Sequence, residues 1–194
     1  GLILNVSGKV VANYWLNHVY PPAVGEAHRD GDLHVHDLDI AGRPDAVTQL
    51  AALAAITERI RLGTMVSPAT FRHPSVLARM AVTVDHISGG RVEVGMGSGW
   101  YEREHRAHGF DFPSGKERFE LFAEQVEVVV RSWTEERFEH AGPAYRLTDQ
   151  RALPRPVQRP HPPLVLGGTV KPRFAALAAR AEEDEPNGGK EAAA

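Results

Sequence analysis

The sequence predicts an α/β protein made of parallel strand–helix–strand units, and three observations carry that reading. Short apolar runs alternate with longer segments of helical period, two of the three runs end in glycine, and no internal repeat breaks the alternation. Three clear strands do not close a barrel, and a complete eightfold barrel takes about 250 residues. The pattern is therefore that of a partial (β/α) barrel or a small open sheet.

The elements follow in order. From Asp45 to Glu58 the chain is rich in helix formers, with Val47, Leu50, Ala51 and Ala54 on one face and Asp45 as a natural N-cap. Ile60 to Val66 reads as a short strand. His73-Pro74 opens a second helix, with proline at its tolerated first position. Val76, Leu77, Met80, Ala81, Val84 and Ile87 keep helical spacing there, and Ser88-Gly89-Gly90 ends it. Arg91 to Gly97 is a second strand ending in glycines. A third helix is expected from about Lys116 to Trp133, striped by Phe119, Phe122, Ala123, Val126, Val130 and Trp133. Phe138 to Leu147 reads as a hairpin turning at Ala141-Gly142-Pro143, and Pro154 to Pro163 as an extended linker. Leu164-Val165-Leu166 is a third strand, Pro172 to Ala181 a last helix, and residues 182–194 a disordered tail. Residues 1–44 are irregular by comparison and are expected to form a separate N-terminal segment ahead of the 45–181 domain.

Composition narrows the chemistry. The 194 residues carry 22 basic and 25 acidic side chains, a net charge of −3, so no global field favours nucleic acid or an anionic membrane. Arginine far outnumbers lysine, which reads as codon bias rather than a binding patch. There is no cysteine, which excludes disulfides, thiolate metal sites and thiol nucleophiles. No apolar run approaches the roughly 20 residues of a membrane helix, and the expected setting is the cytoplasm.

Several residues could carry chemistry. Gly95-x-Gly97-Ser98-Gly99-Trp100 lies at the C-terminal end of a strand, where glycine permits positive φ and close approach to a ligand; a plain strand-to-helix turn is the alternative. Gly167-Gly168-Thr169 repeats this logic ahead of a helix N-terminus, which suits an anion; a simple turn is again the alternative. His34, His36 and Asp37 form an HxHD, with His28 upstream. Two histidines at i and i+2 share one strand face, the spacing of metal-dependent hydrolases, but the later histidines do not complete a ligand set. Arg72, His73, Arg103 and Arg118 could meet phosphate, although surface ion pairs are the commoner fate. Tyr14, Trp15, Tyr20 and Trp133 read as packing residues.

Three stretches also carry a resemblance. LAALAAITERIRLGTMVSPATFRHPSVLARMAVTVDHISGGRVEVGMGSGW, then ERFELFAEQVEVVVRSW, then RPVQRPHPPLVLGG occur in the order found in luciferase-like monooxygenases. That family comprises flavin- or deazaflavin-dependent oxidoreductases built on a (β/α)₈ barrel. The resemblance implies FMN or coenzyme F-420 as cofactor and a small molecule as substrate. It implies cofactor contacts from Met65 and Val66, joined by a non-proline cis peptide, from the loop Gly97, Ser98 and Gly99, and from Gly167, Gly168 and Thr169 for the phosphate. Some deazaflavin-dependent relatives place a glutamate directly after the glycine loop. Trp100 holds that position here, so Glu102 and Glu104 read better as a solvated helix start. No catalytic residue is assigned. Measured against the family, the first two strands and the last three are expected to be missing. Residues 5–40 instead resemble a segment of anaerobic (class III) ribonucleotide reductases, which suggests a chimeric chain. That activity needs cysteine chemistry and cannot carry over. Two other classes stay open: a metal-dependent hydrolase using His34 and His36, and a non-catalytic fragment that self-associates through open sheet edges.

Overall fold

The computed structural model describes residues 2–5, 10–12, 26–27, 33–35, 45–169 and 171–183. Its strands are β1 (Leu2–Asn5), β2 (Val10–Ala12), β3 (Glu26–Ala27), β4 (Leu33–Val35), β5 (Leu62–Thr64), β6 (Ser67–Pro68), β7 (Val92–Gly97), β8 (Arg137–Ala141), β9 (Arg146–Arg151) and β10 (Leu164–Gly168). Its helices are α1 (Ala46–Ile56), α2 (Pro74–Ser88), α3 (Glu102–His108), α4 (Gly115–Thr134) and α5 (Pro172–Glu183).

The main sheet runs in the order β2-β1-β10-β7-β5-β4-β3. β10, β7 and β5 pair in parallel, as the strand–helix alternation predicts, and β4, from the segment expected to stand apart, adds in parallel to β5. β1 joins antiparallel to β10 on one side, and β3 antiparallel to β4 on the other. β8 and β9 form the expected separate hairpin.

Local chemistry sets the helix ends. Asp45 caps α1 by accepting from the Thr48 N–H and hydroxyl, both at 2.7 Å. Gly89, at φ 66°, closes α2 in the left-handed conformation. Ser114 and Glu117 form a reciprocal capping box on α4. α1, α2, α4 and α5 then share one core with β5, β7 and β10, centred on Leu50, Leu62, Leu77, Met96, Phe122, Trp133 and Leu164. Trp133 is fully buried and its indole N–H donates to the Ala78 carbonyl at 3.1 Å.

The structure corrects the sequence reading in places. Val76 and Ile87 follow the apolar spacing of α2, yet stand 51% and 45% exposed. Residues 102–108 form a complete short helix rather than only a helix start. The strand expected from Ile60 to Val66 is regular only over Leu62–Thr64, and the chain resumes pairing as β6. α5 runs to Glu183, past the expected end at Ala181. The Pro154–Pro163 segment is tied down: buried Asp85 accepts from the N–H groups of Val157 (2.6 Å) and Gln158 (3.1 Å) and from the Gln158 side chain (2.8 Å). Among the described residues, no helix is long and apolar enough to cross a membrane.

Candidate functional site at the strand ends

The C-terminal ends of β5, β7 and β10 are neighbours in one parallel sheet, so the residues singled out there share a rim. Met65 and Val66 form a bulge with a simple origin. Gly63 pairs with Glu93 and Ser67 with Met96, so four steps along one strand face three along β7. One residue is surplus, and the chain bows out between two pairings to the same strand. The Met65–Val66 peptide is cis, as the family resemblance implies. Thr64 secures the near side of the bulge: its hydroxyl donates to the Gly95 carbonyl at 2.8 Å and accepts the Gly95 N–H at 2.9 Å.

The loop after β7 is held from beneath. Gly99 has φ 74°, a conformation that favours glycine. His105 on α3 is fully buried below it; its Nδ1 lies 2.9 Å from the Tyr101 carbonyl and its Nε2 2.7 Å from the Thr70 hydroxyl. A carbonyl only accepts, so Nδ1 carries a proton. Phe71 and Phe112 flank the imidazole at ring-centre distances of 5.0 and 4.7 Å. Arg118 donates through Nε to the Gly99 carbonyl at 2.9 Å and through Nη1 to the Pro113 carbonyl, with its guanidinium 3.8 Å from the Phe112 ring centre. The sequence pointed Arg118 at a phosphate or a surface ion pair; it spends these donors on the loop backbone instead. Trp100 stands 67% exposed at the rim, with its ring centre 5.2 Å from that of Tyr101.

Gly99 meets the expected reason for glycine, but Gly97, Gly167 and Gly168 do not. Gly97 and Gly167 lack positive φ, and the space a Cβ would take at each is occupied by Val66. A Cβ at Gly168 would meet the Phe174 ring at 2.6 Å. Even so, Met65, Val66, Ser98 and Gly167 stay partly exposed, and Gly168 and Thr169 are open to solvent just ahead of α5. A planar ring with an anionic tail therefore fits this rim: apolar surface lies at the bulge, and exposed backbone leads to a helix start.

The remaining candidates lie elsewhere. Glu102 forms an exposed pair with Arg106 at 2.7 Å, the solvated helix start expected of it. Arg103 is exposed. Arg72 pairs with Asp45, and His73 caps α2, with its ring centre 5.1 Å from that of Tyr145. His34 sits on β4 opposite Gly63, while His28, His36, Asp37, Tyr14, Trp15 and Tyr20 fall outside the described residues. Among the described residues no group of three or more His, Asp or Glu side chains could hold a metal ion.

Sequence reasoning did not single out one polar cluster between α4 and the hairpin. Glu124 on α4 accepts from His140 Nε2 (3.0 Å) and from the N–H groups of Ala144 (3.0 Å) and Tyr145 (2.8 Å), clasping the hairpin. Burial pushes the Tyr145 phenol up to about 12; the Glu124 charge adds to this rise and the Gln125 hydrogen bond opposes it. Helical spacing could not have flagged Glu124 and Gln125, which lie off the apolar stripe of α4 and are covered by the hairpin and by the loop at Ala69 to Arg72.

A parallel strand-and-helix sheet with a loop-built rim at its C-terminal strand ends is an architecture that (β/α) barrels share. The sequence model of the luciferase-like monooxygenases matches residues 23–183, and the chain belongs to that family. It is 34% identical over 127 residues to an FMNH(2)-dependent dimethylsulfone monooxygenase of Pseudomonas putida, covering 66% of this chain and 35% of that protein. It is 34% identical over 136 residues to an F420-dependent glucose-6-phosphate dehydrogenase of Amycolatopsis mediterranei, covering 70% and 41%. A crystal structure of a monooxygenase from Streptomyces bottropensis superposes with a TM-score of 0.66 at 30% identity, over 80% of this chain and 56% of that one. The chain thus spans half or less of the length of these curated relatives.

Proposed function

We propose that this chain is the cofactor-binding portion of a flavin- or deazaflavin-dependent oxidoreductase acting on a small molecule. The observation that carries the reading is the bulge at Met65–Val66, beside the ends of β7 and β10 and within a chain of this family. Relatives named as FMNH(2)-dependent and F420-dependent support both cofactors. In the proposal, Met65 and Val66 back the ring, Ser98 and Gly99 border it, and Gly167, Gly168 and Thr169 meet the phosphate with backbone donors ahead of α5. When bound, either cofactor supplies two-electron transfer to substrate, and reduced FMN can also react with oxygen. The protein's part is to hold the ring at a fixed height, keep the Gly99 loop rigid through His105 and Arg118, and present Trp100 at the mouth.

A distinct origin for the N-terminal segment is a proposal that rests on its resemblance to anaerobic ribonucleotide reductases. The family match from residue 23 and the parallel pairing of β4 with β5 support drawing its boundary upstream of residue 23 rather than at residue 44. Self-association through sheet edges would follow if those edges stay unpaired in solution, and light scattering across a concentration series reads it directly.

Fluorescence titration with FMN and with F420 tests the cofactor reading. Saturable binding of either one is expected, and a folded chain that binds neither refutes it. Zinc retained through dialysis, and lost in His34→Ala, would shift the assignment to a metal-dependent hydrolase.

A further inference from the structure

Three strand-end glycines stand around one side chain. A Cβ at Gly167 would lie 2.8 Å from Val66 Cγ2, 3.1 Å from Cγ1 and 3.5 Å from Cβ. A Cβ at Gly97 would lie 2.8 Å from Val66 Cγ2 and 3.2 Å from the Gly167 carbonyl oxygen. At Gly95 the distance to Val66 Cγ1 would be 3.0 Å, but the Thr64 carbonyl is far closer. None of the three has positive φ, so glycine is needed here for room and not for backbone conformation. Valine is branched at Cβ and stiff about χ1, so its methyl groups do not swing aside cheaply.

We infer that Val66 is a positioning residue, its isopropyl group keyed into a slot made by Gly97 and Gly167. The key sets the height of the Met65–Val66 bulge, on which the cofactor ring rests; this step depends on the cofactor reading of the rim. The bare Cα positions of Gly97 and Gly167 then act on the cofactor ring through Val66 rather than by touching it, and Gly167 meets the phosphate only through its backbone donor. The competing explanation, direct approach of the ligand to the glycine backbone, makes a different prediction. A methyl group added at Gly167 would then block the ligand whatever occupies position 66.

The contacts differ enough to give a graded test. The three nearest neighbours of a Cβ at Gly167 are all atoms of Val66, and of these Val66→Ala leaves its own Cβ at 3.5 Å, an ordinary contact. Gly167→Ala should therefore lower the melting midpoint and weaken cofactor binding about tenfold, as overpacking by one methyl group does. The double variant with Val66→Ala should return to within about twofold of Val66→Ala alone, the mark of strong coupling between contacting sites. Gly97→Ala should be rescued only in part, because the Gly167 carbonyl remains 3.2 Å away. Gly95→Ala should not be rescued at all, since it strikes the Thr64 backbone.

The experiment measures melting midpoints and the FMN and F420 dissociation constants for the parent, the four single variants and the three doubles. Rescue in the order Gly167, Gly97, Gly95 supports the slot. If Gly167→Ala does not fold, a double variant that folds supports it equally. Additive effects at Gly167 in both readouts, or a double variant as unfolded as the single, overturn it. A parent that binds neither cofactor, while the midpoints show the graded rescue, overturns the cofactor reading and leaves the packing slot standing.

Discussion

Removing the Arg118 guanidinium should loosen the loop between β7 and α3 by an amount the structure lets one work out. Its Nε donates to the Gly99 carbonyl at 2.9 Å, its Nη1 reaches the Pro113 carbonyl, and its face lies 3.8 Å from the Phe112 ring centre. A hydrogen bond from a charged donor contributes about 1.5–3 kcal/mol, and a cation–π contact at a partly exposed site about 0.5–1 kcal/mol. Part of this is offset because water reaches the half-buried arginine and its carbonyl partners. Arg118→Met, which keeps the apolar stem, should then cost about 2–3 kcal/mol in urea denaturation with an unchanged m-value. Arg118→Lys keeps the charge but cannot fork between two carbonyls and should recover less than half of the loss. Amide exchange in residues 98–113 should accelerate in both variants, more than in α4. A cost below about 0.5 kcal/mol for Arg118→Met, with loop exchange unchanged, would refute the pinning argument.

Other expectations follow from the same geometry. Glu124→Leu leaves one buried and two part-buried hairpin donors without their acceptor and should cost about 2–4 kcal/mol; a cost within about 0.5 kcal/mol would mean that water replaces the carboxylate. Trp133→Phe loses the bond to the Ala78 carbonyl and a little volume, for about 1–2 kcal/mol, whereas Trp133→Ala should cost about 3–5 kcal/mol, both read from chemical denaturation. Burial raises the Asp45 carboxyl, but the bonds from Thr48 and Arg72 outweigh it, so its folded pKa sits below 3.8. A depressed carboxylate stabilises the fold above its unfolded pKa, and that contribution disappears as pH falls through the folded value. Asp45→Asn should accordingly flatten the acid limb of the stability curve below about pH 4, and an unchanged limb would show the cap to be electrostatically silent. The tyrosinate absorbance lost in Tyr145→Phe should titrate near 12; titration near 10 would place the phenol in water.

How much was legible in the sequence follows from what kind of force fixes each part. The order of helices and parallel strands was readable because period and caps are local: Asp45, His73-Pro74 and Gly89 each act within one turn of chain. The rim was readable as a set of glycines, but the reason for them was not. Gly97 and Gly167 lie on strands far apart in sequence and meet at the side chain of Val66, in the bulge between β5 and β6, which spacing along one strand cannot reveal. The exposure of Val76 and Ile87 was hidden for a related reason, because an apolar stripe shows only which residues share a face and not how wide the covering element is. Arg118 carried the right charge for a phosphate, yet its partner, the Gly99 carbonyl, is a backbone atom that no residue type announces. The clasp of Asp85 on the proline-rich segment likewise joins positions more than 70 residues apart.

Hydrogen exchange read residue by residue, with and without saturating FMN or F420, tests the central claim most directly. Added protection is expected at Val66 and Ser67, at Gly97 to Trp100, and at Gly167 to Thr169, three stretches separate in sequence that meet at one rim. Protection confined to the β8–β9 hairpin or to the outer faces of α1 and α2, or no protection from either cofactor in the folded chain, would contradict it.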